Sequence, residues 1–255
     1  MKILFIGDIY GEPGRRILLQ NIEKLKTEYK PNLIIINAEN SAHGRGITKK
    51  IYKDLMSAGV NLLTMGNHTF ANTQIYDLFE DDNINIIRPI NYSNVKGNGY
   101  KVIKYNDKKV LVINALGRTF SNFSLENPFT QIKGVIETVD HDYSIVDFHA
   151  EATSEKVALG HYLDGIASAV LGTHTHIPTA DERLLPNGTL YITDVGMTGP
   201  LNGVIGVDTD LIVSRFLNGV SGPNVVAEGP TWLNGVILDF GSKAPTIKRI
   251  QIYGE

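Results

Sequence analysis

Short runs of Ile, Val and Leu recur along the chain, and most are too continuous to alternate apolar with polar residues. "KILFIGDI", "NLIIINAE", "NLLTMG", "INIIRP", "VLVINAL", "YSIVDFHA" and "IASAVLGTH" are of this kind. Such runs, bounded by Gly, Asn, Asp or His, read as strands buried on both faces. Helical patterns lie between them. Pro13 to Tyr29 carries its proline near the first turn, Thr48 to Ala58 opens on a capping residue and closes at Gly59, and Ser154 to Leu163 has Ser154 as cap and Gly165 as stop. Gly99 to Leu116 differs, because the turn residues Tyr105-Asn106-Asp107-Lys108 separate two strand-like runs and predict a hairpin. Beyond the turn signal Pro186-Asn187-Gly188 come a helix near Asp208 to Leu217 and the strand patterns "WLNGVILDFG" and "PTIKRIQIYG". With no internal repeat, linker-like shift or charge block, the pattern predicts a single α/β domain over residues 1–255, with two layers of sheet and flanking helices.

Composition narrows the function classes. Lys+Arg 24 against Asp+Glu 27 gives a net charge of −3, which is no footprint for gripping duplex nucleic acid. Absence of cysteine excludes disulfides, thiolate catalysis and sulfur-ligated metals, and fits a reducing compartment. The first apolar run ends at Asp8, short of a signal-peptide core, and no stretch approaches the ~18 apolar residues of a membrane span. The expectation is a cytoplasmic protein with no membrane partner. The 25 glycines gather at strand ends, as tight turns around a site would require.

Candidate chemistry stands at those same strand ends. The residues just past successive apolar runs are Asp8, then Glu39-Asn40, Asn67-His68, His149, and His174 with His176. In α/β sheets ligands bind outside the carboxyl ends of strands, where side chains far apart in sequence meet. Singly, each has a plainer reading: Asp8 as a cap or turn residue, Asn67 and His68 as caps of a helix beginning near Asn72, His149 as a hydrogen-bonded core histidine. If extended, His174-Thr175-His176 puts both rings on one face. Oxygen and imidazole donors without sulfur suit Mn, Fe, Co or Zn better than Ca or Mg.

The ordered set "GDIY", "NAEN", "GNHT", "DFHA" and "GTHTH" resembles the calcineurin-like metallophosphoesterases, whose pattern is GDxH, GD, GNH, a lone His and GHxH. The longer stretches "NAENSAHGRGIT", "DFHAEATSEK" and "GTHTHIPTADERLLPNGTLYITDVGMTGP" are similar to the YmdB branch, bacterial enzymes implicated in hydrolysing 2′,3′-cyclic nucleotides. The resemblance implies a four-layer β-sandwich of two mixed sheets flanked by helices, a homo-oligomer, and a small phosphodiester substrate, a nucleotide. It further implies two transition-metal ions, Fe or Mn foremost, with Zn or Co as alternatives. One ion falls to Asp8, Glu39, Asn40 and His176, the other to Glu39, Asn67, His149 and His174. Glu39 and a hydroxide would bridge them, and His68 would protonate the leaving oxygen.

Two departures from the broad pattern matter. Tyr10 occupies the position of a ligand histidine, so that Asn40 is expected to coordinate instead and Tyr10 to form a wall. No acidic residue follows His68 to orient its ring, since Thr69, Phe70, Ala71 and Asn72 come next. Weaker substrate contacts are expected from His43 and Arg45, in the Gly-rich loop after the bridging carboxylate. Asp194 is expected either to hold a ligand histidine or to serve a turn. Phosphomonoesterase action is a rival reading, with few arginines (Arg15, Arg16, Arg45, Arg118) near suitable loops to meet a dianion. A metal-stabilised scaffold without catalysis is another.

Overall fold

A computed structural model describes residues 1–219, 222–241 and 244–255. One sheet is built from β1 (Lys2–Ile6), β2 (Leu33–Asn37), β3 (Leu62–Thr64) and β4 (Ile86–Ile87). The second consists of β5 (Tyr100–Tyr105), β6 (Lys108–Leu116), β7 (Tyr143–His149), β8 (Ala169–Thr173), β9 (Arg183–Leu184) and β10 (Leu190–Ile192), and the chain then returns to the first with β11 (Gly199–Pro200), β12 (Thr231–Asp239) and β13 (Thr246–Gly254). The first sheet runs β11-β12-β1-β2-β3-β4, with β13 also on β12; the second runs β5-β6-β7-β8-β10-β9. Both are mixed. β1 to β4 pair parallel, as do β6, β7, β8 and β10, while β12 joins β1 antiparallel.

The continuous apolar runs follow from where each face goes. Along β1, Ile3 and Phe5 enter the core shared by the two sheets, and Leu4 and Ile6 face the helices outside. β6 divides likewise, Val110 and Val112 inward against the first sheet, Leu111 and Ile113 outward. Burial on both faces is what removes the alternation. Helices α1 (Gly11–Tyr29), α2 (Lys49–Ser57) and α3 (Gln74–Leu78) cover the first sheet. Helices α4 (Pro128–Thr138) and α5 (Thr153–Tyr162) cover the second, completing four layers, and α6 (Thr209–Asn218) follows β11.

Several boundaries shift for local reasons. Helix α1 begins two residues before Pro13, at Gly11, whose positive φ of 59° turns the chain out of the β1 loop. Thr48 caps α2 as expected, its side chain accepting from Ile51 N at 3.2 Å, and Asp208 caps α6 through Leu211 N at 2.9 Å. Ser154 is not the cap of α5: that helix starts at Thr153 with Ala152 as its flanking residue. The expected hairpin is β5–β6, registered from Tyr100↔Ile113 to Tyr105↔Lys108. No helix among the described residues is long and apolar enough to cross a membrane.

Candidate metal centre

The parallel strands deliver their C-terminal ends to one edge of the sandwich, and the strand-end side chains meet there. Around His149 Nε2 stand Glu39 Oε1 at 3.1 Å, Asn67 Oδ1 at 3.0 Å and His174 Nδ1 at 3.0 Å. Donors about 3 Å apart have the spacing of ligands held around one ion by bonds of roughly 2.1 Å. Glu39, His149 and His174 form a group able to hold a metal ion. Gly66 makes room for it: a Cβ there would lie 2.2 Å from Glu39 Oε2 and 2.5 Å from His149 Nε2.

On the other side of Glu39, Asn40 Nδ2 lies 3.1 Å from His176 Nε2, and Asn40 Oδ1 accepts from His68 Nδ1 at 2.7 Å. His68 Nδ1 is also 3.3 Å from Glu39 Oε1, while the His68 backbone N–H donates to Glu39 Oε2 at 2.9 Å. Asp8 is fully buried. Its Oδ2 accepts from the His174 backbone at 3.0 Å, whereas Oδ1 has no hydrogen bond and lies 3.6 Å from His149 Nδ1. A buried carboxylate oxygen left without a donor is costly unless a cation meets it, so the donor set fits a metal.

His174 and His176 do not sit on one face of an extended strand, as the alternation suggested. β8 stops at Thr173, and the two histidines take φ values of 103° and 69°, in the left-handed region that side chains rarely adopt. The bend is held by carboxylates. Asp8 takes the His174 N–H, and Asp194 accepts from Thr175 N at 3.1 Å and Thr175 Oγ1 at 2.7 Å. The turn sends His174 toward His149 and His176 toward Asn40. Asp194 therefore grips the backbone between the histidines rather than a ring, and its own charge is met by the buried Lys156 ammonium at 2.6 Å.

His149, His174 and His176 each have a partner for the second nitrogen. His149 Nδ1 lies 2.9 Å from Thr173 Oγ1, His176 Nδ1 2.8 Å from Ile205 O, and His174 Nε2 3.1 Å from Glu151. Such contacts fix tautomer and ring orientation in metal sites. Glu151, Thr173, Asp147 and Ile205 were not singled out from the sequence. Asp147 had a signal: two residues before His149 on β7, it shares that face.

The charges are tightly coupled. Burial pushes the Asp8 carboxyl up to about 8, with His149 opposing and Glu39 reinforcing. Burial would raise Glu39 as well, but His149 and His68 hold it well below the ordinary carboxylate range. Burial disfavours a charged His149, yet Glu39, Asp8 and Asp147 lift it to about 9. His174 falls to about 3, through burial and then the charge of His149, and burial lowers His176. Without metal, Asp8 and His149 thus hold protons more tightly than free side chains do.

Tyr10 is buried, its ring edge-on to His176 at 5.4 Å. Arg45 is exposed but lines a cleft with Tyr10, Asn40, His68 and His176; His43 is exposed with a φ of 52°. Arg15 is committed elsewhere, donating to the Ser41 carbonyl.

Two mixed sheets packed face to face, helices outside, and a buried carboxylate–imidazole cluster at one edge define a metallophosphoesterase-type fold. The same fold is found in a putative 5′-nucleotidase from Staphylococcus aureus, 13% identical, with a TM-score of 0.62 over 99% of this chain and 54% of that one. The model of the YmdB-like protein family matches residues 4–252, and the chain belongs to this family of metallophosphoesterase-type enzymes. It is 50% identical to a 2′,3′-cyclic-nucleotide 2′-phosphodiesterase of Bacillus subtilis, over 99% of this chain and 97% of the relative. A hypothetical protein from Thermus thermophilus, 40% identical, superposes with a TM-score of 0.95 over the whole of both chains.

Proposed function

We propose that this chain is a metal-dependent phosphodiesterase that opens 2′,3′-cyclic nucleotides. The observation carrying the reading is the convergence of Glu39, Asn67 and His174 on His149 Nε2, with His68 beside Glu39. Two ions would be held, one by Asp8, Glu39, Asn40 and His176, the other by Glu39, Asn67, His149 and His174, with Fe or Mn favoured and Zn or Co as alternatives. When bound, such a pair would supply Lewis acidity and would make water a competent nucleophile at neutral pH.

The chain's own residues do the rest. His68 as imidazolium keeps Nδ1–H on Asn40 Oδ1 and Glu39 and offers its Nε2 proton to the leaving 2′-oxygen. As the bond from phosphorus to that oxygen breaks and one to the water-derived oxygen forms, the proton passes to the 2′-oxygen and a 3′-phosphate results. The neutral Nδ1–H tautomer left behind is the one Asn40 already holds. Cleavage at the 2′ bond follows the likeness to the 2′,3′-cyclic-nucleotide 2′-phosphodiesterase of Bacillus subtilis.

The test is to load the protein with Mn or Fe and assay 2′,3′-cyclic AMP, a chromogenic diester and phosphomonoesters, beside Glu39→Gln. Diesters are turned over, monoesters are not, and Glu39→Gln abolishes turnover. Preference for monoesters would favour a nucleotidase, and no turnover with any metal would favour a scaffold.

A further inference from the structure

A cleft of about 320 Å³ adjoins the cluster, lined on one side by Asn67, His149 and His174 and on the other by the loop that carries Thr119, Phe120 and Phe123. Its size is within the usual range for small-ligand sites. Phe120 is 82% exposed and Phe123 48% exposed, so two apolar rings face water within reach of a charged centre. The loop is nonetheless braced. Glu155, in the first turn of α5, accepts from Arg118 N at 2.9 Å and Thr119 N at 3.0 Å, and Ser121 N donates to Arg118 O at 3.1 Å.

Within this frame Phe120 takes a φ of 61°, in the left-handed region that a phenylalanine rarely adopts. Phe123 is fixed differently, edge-on to Tyr92 at 5.8 Å, with Tyr92 in turn edge-on to Phe70 at 5.5 Å. Among the described residues Phe120 has no aromatic partner. Among the described residues no Lys or Arg lines this cleft, whereas Arg45 lines the one on the His68 side. A second phosphate is therefore unsuited to it, and a planar neutral group with a π-face is suited.

We propose that Phe120 is a stacking platform for the nucleobase of the substrate, with Phe123 as the fixed side wall. This rests on the phosphodiesterase reading above and adds a binding role for residues outside the metal cluster. Because every base has a π-face, stacking of this kind tolerates all four bases and grips purines harder.

The experiment compares the metal-loaded protein with Phe120→Ala and Phe120→Trp, using 2′,3′-cyclic AMP and the base-free methyl riboside 2′,3′-cyclic phosphate as substrates. Calorimetric binding of adenosine 3′-monophosphate against ribose 3-phosphate runs in parallel. Phe120→Ala is expected to raise KM for cyclic AMP about tenfold at unchanged kcat, the size of one base–aromatic stack. The base-free substrate is unaffected, and Phe120→Trp restores KM. In binding, the preference for the adenosine compound collapses in Phe120→Ala. If Phe120→Ala binds both compounds as the parent does, the platform is overturned. If no substrate is turned over but the base-dependent binding is lost in Phe120→Ala, the platform stands and the hydrolytic reading falls.

Discussion

His149 Nδ1 lies 2.9 Å from Thr173 Oγ1, and the same hydroxyl donates to the buried carboxylate of Asp147 at 2.7 Å. Asp147 also accepts from Asn37 Nδ2 at 2.9 Å and Thr64 Oγ1 at 2.5 Å, so its position is over-determined. The relay keeps the proton of His149 on Nδ1 when the other nitrogen binds a cation. Thr173→Val, which keeps the shape and removes the hydroxyl, should weaken metal binding about 10- to 100-fold, and Thr173→Ser should retain it. Competition with a chelator reads both.

Asn40 and Tyr10 separate by the same measurement. Asn40 touches both His176 and His68, while the Tyr10 hydroxyl has no hydrogen bond with either. Asn40→Ala should lower metal occupancy at the His176 side, and Tyr10→Phe should leave it unchanged. Equal loss from both would make the tyrosine a ligand.

Removing metal should expose an inverted pH dependence of stability. Both His149, lifted from 6.5 to about 9, and Asp8, lifted from 3.8 to about 8, bind protons more tightly in the folded than the unfolded chain. A raised pKa contributes stability that is complete below the unfolded value and is lost as pH rises through the folded one. His174 and His176, both depressed, oppose this trend only until the unfolded imidazoles have lost their protons, about one pH unit above 6.5. Metal-free protein should therefore lose Tm steadily between pH 6.5 and 9. Metal replaces those protons, so the loaded protein should hold its Tm across that window, as thermal scans of both forms would show.

Lys156 and Asp194 form a 2.6 Å ion pair with both side chains 1% exposed. Lys156→Met leaves the Asp194 charge buried without its counter-ion and should destabilise by about 3–5 kcal/mol in denaturant titration. Asp194 also fixes Thr175, so the variant should loosen metal binding where it still folds.

The layers of the fold were legible because strands buried on both faces leave unbroken apolar runs, and each ligand candidate marks the end of one. Helix α4 was not, since Gly134 interrupts its centre; in the structure Asn127 caps the helix through Phe129 N at 3.0 Å. What orients His68 was also hidden. The residues after it hold no acid, and the partner, Asn40, comes from the loop after β2, a contact only tertiary packing creates. Alternation in His174-Thr175-His176 misled for the same reason: carboxylates from Asp8 and Asp194 bend that segment off the sheet.

A two-ion centre bridged by Glu39 can be seen by anomalous scattering from crystals of untreated protein. Two peaks about 3.5–4 Å apart are expected, one beside His149 and His174 and one beside His176, with the Glu39 carboxylate touching both. A single peak, or two peaks of which either lies clear of Glu39, would contradict it.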